Sequence, residues 1–168
     1  MLIRRETPAD IDAIRTVTAA AFQRVDEAAL VDALRADDTA WLPALSLVAV
    51  SAADGSVVGH VLATRATVDG VPVLGLGPVS VRPDHQGRGV GSALVHAVLG
   101  AADALDEPLV ALLGSRDYYT RFGFRLAADF GITPPVAEWT PHFQVRALAA
   151  HDPRLRGTFA YADAFDDL

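Results

Sequence analysis

Three glycines at alternate positions, Gly87, Gly89 and Gly91, stand between a β-branched run ending at Val79-Ser80-Val81 and an apolar helical pattern that begins at Val90. A strand that feeds a helix through a turn with so little side-chain bulk leaves successive backbone N–H groups bare at the positive end of the helix. Such a turn binds anions, phosphate above all. The stretch Gln86-Gly87-Arg88-Gly89-Val90-Gly91-Ser92 is not a Walker loop, because no Gly-Lys-Ser/Thr follows it. Nor is it a dinucleotide fingerprint, since Ser92 holds the place of the third glycine.

The rest of the chain has to arrange elements around that turn. "LIRRET" reads as a first strand, and Thr7-Pro8-Ala9-Asp10 then offers a hydroxyl at N-cap, proline at N1 and a carboxylate at N3. Ile11, Ile14, Val17, Ala21 and Phe22 recur at helical spacing, which predicts a helix with one buried face. Asp26 is expected to cap a second helix carrying Ala29, Leu30, Val31 and Leu34. "ALSLVAVSAA", "SVVGHVLATRATVD" and "VPVLGLGPVSV" read as strands joined by turns at Asp54-Gly55 and Asp69-Gly70. Gly75, Gly77 and Pro78 predict a bulge inside the third of these.

After the glycine turn, Val90, Leu94, Val95, Val98, Leu99 and Ala102 mark a helix. "PLVALLG" then reads as a strand, "SRDYYTRF" as about two helical turns, and "GFRLAA" and "FQVRALA" as further strands. The order β-α-α-β-β-β-α-β-α-β-β predicts an α/β protein with a mixed, mostly antiparallel central sheet and helices on both faces. No repeat, low-complexity block or linker divides it, so residues 1–168 are expected to form a single domain.

Composition removes several functions. With 51% hydrophobic and 21% charged residues, the chain buries a core and is not disordered. All 14 basic residues are arginine, which excludes a P-loop lysine and a Schiff-base lysine. Cysteine is absent, so disulfides, a thiol nucleophile and thiolate metal sites are excluded. The five histidines lack HExxH-type spacing, and no metal is expected. A net charge of −7 disfavours a nucleic-acid partner. "MLIRRET" has no apolar h-region and "ALSLVAVSAA" is too short to span a bilayer, so the chain reads as soluble and cytoplasmic, with no membrane association.

Gln86, Gly89 and Gly91 resemble the acyl-CoA-binding motif Gln/Arg-x-x-Gly-x-Gly/Ala of the GNAT superfamily of N-acetyltransferases. "YYTRFGF" is a second signature, with Tyr119 four residues before Gly123-Phe124, and the resemblance extends to the element order of nearly the whole chain. It implies the acyl-CoA N-acyltransferase fold and transfer of an acetyl or short acyl group from acetyl-CoA to a primary amine, by direct attack in a ternary complex. It places the pyrophosphate on the amides of Gly87, Arg88, Gly89, Val90, Gly91 and Ser92. The pantetheine arm would run along the backbone of Val79, Ser80 and Val81, where that strand splays from "LVALLG", and an amide near Val79 would face the oxyanion. Tyr119 would donate a proton to the departing thiolate; otherwise its ring simply packs the short helix on the sheet, as Tyr118 would. Arg88 either pairs with a phosphate or faces solvent.

The sequence also departs from the family. Many members carry a glutamate general base on the strand before the turn; alignment on Gln86-x-x-Gly89 puts Gly75 there, and this strand has no carboxylate. Glu27, at the start of the second helix, is a candidate base because the first two helices commonly wall the acceptor site, although the helix dipole alone favours an acid there. His60, within a strand, is a weaker candidate. An asparagine common near the start of the short helix is replaced by Leu112, leaving Ser115 either as a polar substitute or as an N-cap. A non-catalytic acyl-CoA-binding regulatory module is the alternative function. Trp41, Trp139, Phe143 and the connection from Gln23 to Glu27 are candidate acceptor walls, the acceptor is a small-molecule or peptide amine, and a homodimer through the carboxyl-terminal strands is possible.

Overall fold

The computed structural model describes residues 1–167. Its main sheet runs β1 (Leu2–Arg5), β2 (Ser46–Val50), β3 (Val57–Val68), β4 (Val71–Val81), β5 (Leu109–Leu113), β8 (Phe143–Ala147), β6 (Arg125–Leu126). Two short strands, β7 (Ile132–Thr133) and β9 (Gly157–Ala160), pair with each other, and β9 also pairs with β3. Every pairing is antiparallel except β4 with β5 and β7 with β9. The sheet is therefore mixed and mostly antiparallel, as the pattern predicts.

Local chemistry accounts for the first half. The Asp10 carboxylate accepts the Thr7 N–H at 2.7 Å and the Thr7 hydroxyl at 2.9 Å, and Arg4 grips it in a fork at 2.7 and 3.0 Å. That knot opens a 3-10 turn running into α1 (Ile11–Phe22), which ends where Gln23 turns left-handed at φ 55°. Asp26 is the first residue of α2 (Asp26–Ala36) rather than its cap, because its carboxylate is taken by Arg24 at 2.6 Å; Val25 holds the cap position. Asp69 and Gly70, at φ 46° and 81°, make the tight turn between β3 and β4 that an Asp-Gly pair favours.

Helices cover both faces of the sheet. α3 (Val90–Ala104) buries Val90, Leu94, Val95, Val98, Leu99 and Ala102 against Leu47, Ala49, Val61, Ala63, Leu74 and Leu76. On the opposite face, Ile14 and Val17 of α1 and Leu30, Val31 and Leu34 of α2 pack on Val48 and Leu62. The same face continues into a cluster of Val73, Ala111, Phe143, Val145 and Phe159. β7 and β9 lie outside the predicted order: with two and four residues they are too short for a period to show, and long-range pairing makes them. β9, the last strand, is paired within the chain to β3 and β7.

Candidate active site

β4 is the element on which the site is built. Val61 pairs with Val79 and Ala63 with Leu76, so the register slips by one residue between them, at the predicted bulge around Gly77-Pro78. Proline donates no hydrogen bond, which makes Val79 the first residue past the bulge with an N–H. Towards β5, pairing is confined to Leu74 with Val110 and Gly75 with Ala111. Beyond Gly75 the two parallel strands part, and the edge of β4 from Leu76 to Val81 faces an opening. Val79 and Val81 turn their backbone groups to that edge, whereas Ser80 between them is paired with His60 of β3, and its side chain is fully buried and donates to Thr18 Oγ1 at 3.3 Å.

The glycine turn stands at the end of this edge. Gly87 and Gly89 have φ 72° and 82°, and a Cβ at either would meet nothing within 4 Å. Gly89 is the N-cap of α3, and among the described residues the amides of Gly87 through Ser92 donate no turn or cap hydrogen bond. These are bare donors at a helix N-terminus, as a phosphate needs. The Val90 side chain is buried in the core beneath, so only its amide is presented. Gln86 fastens the turn, its Nε2 donating to the Val81 carbonyl at 3.0 Å. A Cβ on Gly91 would stand 3.0 Å from the Tyr118 hydroxyl, which places Tyr118 on the helix start rather than in the cavity described next. Arg88 is exposed and makes no side-chain hydrogen bond among the described residues.

A cavity of about 450 Å³ lies at the other end of the opening. Gly77, Pro78 and Val79 form its floor with Leu76, and Leu113, Gly114 and Tyr119 come from the β5 side. α4 (Arg116–Tyr119) follows Ser115 at N-cap and brings Tyr119 back over Gly114, where an added Cβ would lie 2.6 Å from the Tyr119 ring. Burial, together with the neighbouring Tyr118, pushes the Tyr119 phenol up to about 12. It stays protonated throughout the physiological range. Leu112, in the place of the family's asparagine, is buried in the core and turned away from the cavity.

Phe22, Glu27 and Leu30 close the cavity from the helix side. Phe22 is the one position of the α1 apolar pattern left well exposed, and its ring belongs to this wall rather than to the core. Among the described residues Glu27 is the only charged one of the lining, and it makes no hydrogen bond or ion pair. Glu27 and Tyr119 therefore border one space. His60 does not: it is fully buried under the helices, with Nε2 at 2.8 Å from Ser46 Oγ and 3.4 Å from Glu6. Burial lowers its pKa, Glu6 opposing, so it is a neutral core residue and not a base of the cavity.

The third wall is aromatic and comes from the carboxyl-terminal part of the chain. Trp139, Tyr161 and Phe165 line the cavity. Tyr161 stacks on Phe165 with centroids 4.4 Å apart and meets Trp139 edge-on at 6.5 Å. Of the aromatic residues expected to line the acceptor site, Trp139 lines this cavity. Trp41 instead stacks under Arg35 beside α2, and Phe143 is fully buried in the core. Tyr161 and Phe165 have no signal in the sequence short of the acidic tail that carries them.

The chain and its fold resemble proteins of known family. The profile of the acetyltransferase (GNAT) domain matches residues 2–127. YjhQ of Escherichia coli, described as an uncharacterized N-acetyltransferase, is 36% identical over 162 residues, covering 92% of this chain and 88% of its own. The GNAT N-acetyltransferase YhbS of the same organism, solved in complex with CoA, superposes with a TM-score of 0.90 at 31% identity over 98% of this chain and 91% of its own. A GNAT acetyltransferase of Brucella melitensis, solved in complex with acetyl-CoA, gives a TM-score of 0.80 at 37% identity over 98% and 97% of the two chains.

Proposed function

The chain belongs to the GNAT acetyltransferase family, and on that premise we propose that it transfers an acetyl group from acetyl-CoA to a primary amine seated in the cavity beside Glu27 and Tyr119. One observation carries the reading: the unpaired edge of β4 joins a bare glycine turn at one end to a cavity with a carboxylate and a phenol at the other. CoA and acetyl-CoA in the solved relatives from E. coli and B. melitensis support the choice of donor.

The amides of Gly87 to Ser92 hold the pyrophosphate, with Gln86 fixing the turn and Arg88 free to pair with a phosphate. The backbone of Val79 and Val81 pairs with the pantetheine arm, while Ser80 between them stays paired with β3. The amine nitrogen then attacks the thioester carbon directly, and the Val79 N–H donates to the oxyanion as the C–N bond forms. Glu27 takes the proton leaving nitrogen, directly or through water. The C–S bond breaks, and Tyr119 donates a hydrogen bond to the departing sulfur.

Magnitude decides the form of that last step. A free thiol titrates near ~8.5 and the Tyr119 phenol near 12. Outright protonation of the thiolate by the phenol is thus uphill by roughly 5 kcal/mol. Tyr119 stabilises the sulfur as a fixed donor, and the thiol proton arrives finally from solvent.

Calorimetric titration with acetyl-CoA, against desulfo-CoA, ATP and NAD, tests the donor. Heat from acetyl-CoA without competition by ATP or NAD is expected; absence of acetyl-CoA binding at millimolar concentration overturns the proposal. Thiol release that requires an added amine separates an enzyme from a non-catalytic acyl-CoA-binding module.

A further inference from the structure

Resting on that reading, we infer that the acceptor is a primary amine on an aryl or branched-alkyl body that carries no acid group: an amine of the 2-phenylethylamine kind rather than an amino acid, an amino sugar or a phosphorylated amine.

Charge narrows the class first. Every basic residue of the chain is an arginine or histidine, and among the described residues none lines the cavity and Glu27 is the sole charged side chain there. A carboxylate or phosphate on the acceptor would enter without a partner and beside a like charge, which is costly in a largely apolar site. An ammonium would meet Glu27, a carboxylate with no hydrogen bond or close ion pair among the described residues because the neighbouring Arg24 is held by Asp26, and the faces of aromatic rings, to which cations are drawn.

Polarity narrows it again. Apart from Glu27, the side chains lining the cavity offer hydrogen-bonding atoms only from Tyr119, Tyr161 and the Trp139 indole. Tyr119 is assigned to sulfur. Tyr161 is deeply buried, which pushes its phenol up, and the Leu113 amide facing its hydroxyl offsets this in part. A sugar with several hydroxyls would lose its water without finding replacements. Phe22, Trp139, Tyr161 and Phe165 instead surround an apolar body from two sides, and about 450 Å³ is the size of a small-molecule site. The exposed Leu113 of the lining extends apolar surface beyond these rings.

The test uses acetyl-CoA with five acceptors: 2-phenylethylamine, isopentylamine, phenylalanine, glucosamine and a tripeptide headed by phenylalanine. The first two are expected to exceed the others in kcat/KM by about 100-fold. A Trp41→Phe variant leaves Trp139 as the sole indole, and its fluorescence in the presence of CoA reports occupancy without turnover. Glu27→Gln should weaken 2-phenylethylamine by about tenfold and leave the neutral 2-phenylethanol unchanged. Glucosamine, phenylalanine or the tripeptide matching the simple amines overturns the inference, as does acetyl-CoA binding with neither a Trp139 signal nor acetylation from 2-phenylethylamine. Failure of acetyl-CoA itself to bind overturns the proposed function beneath it.

Discussion

The ring of Tyr161 covers Gly75: a Cβ at residue 75 would stand 2.8 Å from both Cδ1 and Cε1 of that ring. Phe159 lies behind, 3.5 Å from the same point. The space that a glutamate side chain would fill in relatives with a strand base is thus occupied by an aromatic ring from the end of the chain. Tyr161 in turn braces Trp139 and Phe165, so the missing carboxylate and the aromatic wall of the cavity are one structural fact.

Gly75→Ala should therefore push the Tyr161 ring out of place and destabilise the protein by about 1–3 kcal/mol. Gly75→Ala combined with Tyr161→Ala should cost measurably less than the sum of the two single changes, because the added methyl then has room. Thermal unfolding of the four proteins checks this, and strict additivity would show that the ring does not fill that space. Gly75→Glu is not expected to restore a strand base; it should fail to fold stably.

Tyr119→Phe removes the proposed donor to sulfur while keeping the ring that packs on Gly114. Turnover should fall by about 100-fold, with acetyl-CoA affinity within a factor of ~2. Since the phenol is held up to about 12, the wild-type rate should rise with pH as the amine loses its proton, and show no descending limb through pH 10. A descending limb near neutrality that vanishes in Tyr119→Phe would contradict the assignment. Gly114→Ala should imitate the loss with Tyr119 intact, because the new methyl would lie 2.6 Å from the ring.

The glycine turn, the Thr7–Asp10 knot and the two Asp-Gly turns were legible in the sequence because each is made by residues within a few positions of one another. Tyr119 and the Gln86-to-Ser92 stretch came through resemblance, and the structure sets them around one opening. Of the aromatic wall only Trp139 was legible. Tyr161 and Phe165 show no period, and they reach the cavity only because β9, which precedes them, pairs with β3, a strand far up the chain. His60 could not be placed from its strand alternation alone, since that pattern distinguishes two faces but not cleft from core. The bulge in β4 was readable from Gly77-Pro78, whereas the parting of β4 from β5 depends on where pairing stops, which no local signal states.

Gly89→Ala separates turn geometry from fold. The added methyl meets no atom, and the backbone at this residue sits at φ 82°. The cost is therefore confined to holding alanine in a left-handed conformation, about 1–2 kcal/mol. Relaxation of that angle would turn the neighbouring amides away from a bound phosphate. Acetyl-CoA affinity is expected to drop by about tenfold while the melting temperature falls by only a few degrees. Unchanged affinity would remove the turn from the cofactor site.

Acid should loosen the protein through the buried cluster of Glu6, His60, Ser46 and Arg35. Burial alone would raise the Glu6 pKa, but hydrogen bonds from His60, Arg35 at 2.8 Å and Ser46 at 2.5 Å outweigh it and bring the value down from 4.5 to about 2. The folded carboxylate thus resists a proton that the unfolded chain accepts, so its stabilisation is complete above pH 4.5 and is lost between there and about 2. His60, lowered by burial, acts in the same sense at higher pH: the unfolded imidazole is protonated as pH falls through 6.5 while the folded one stays neutral. Glu6→Gln should destabilise by on the order of 2 kcal/mol at pH 7, leaving Arg35 partly unpaired, and the gap from wild type should close towards pH 3. Urea unfolding at pH 7, 5 and 3 measures it. A gap that stays constant with pH would mean that Glu6 stabilises through packing and not through its charge.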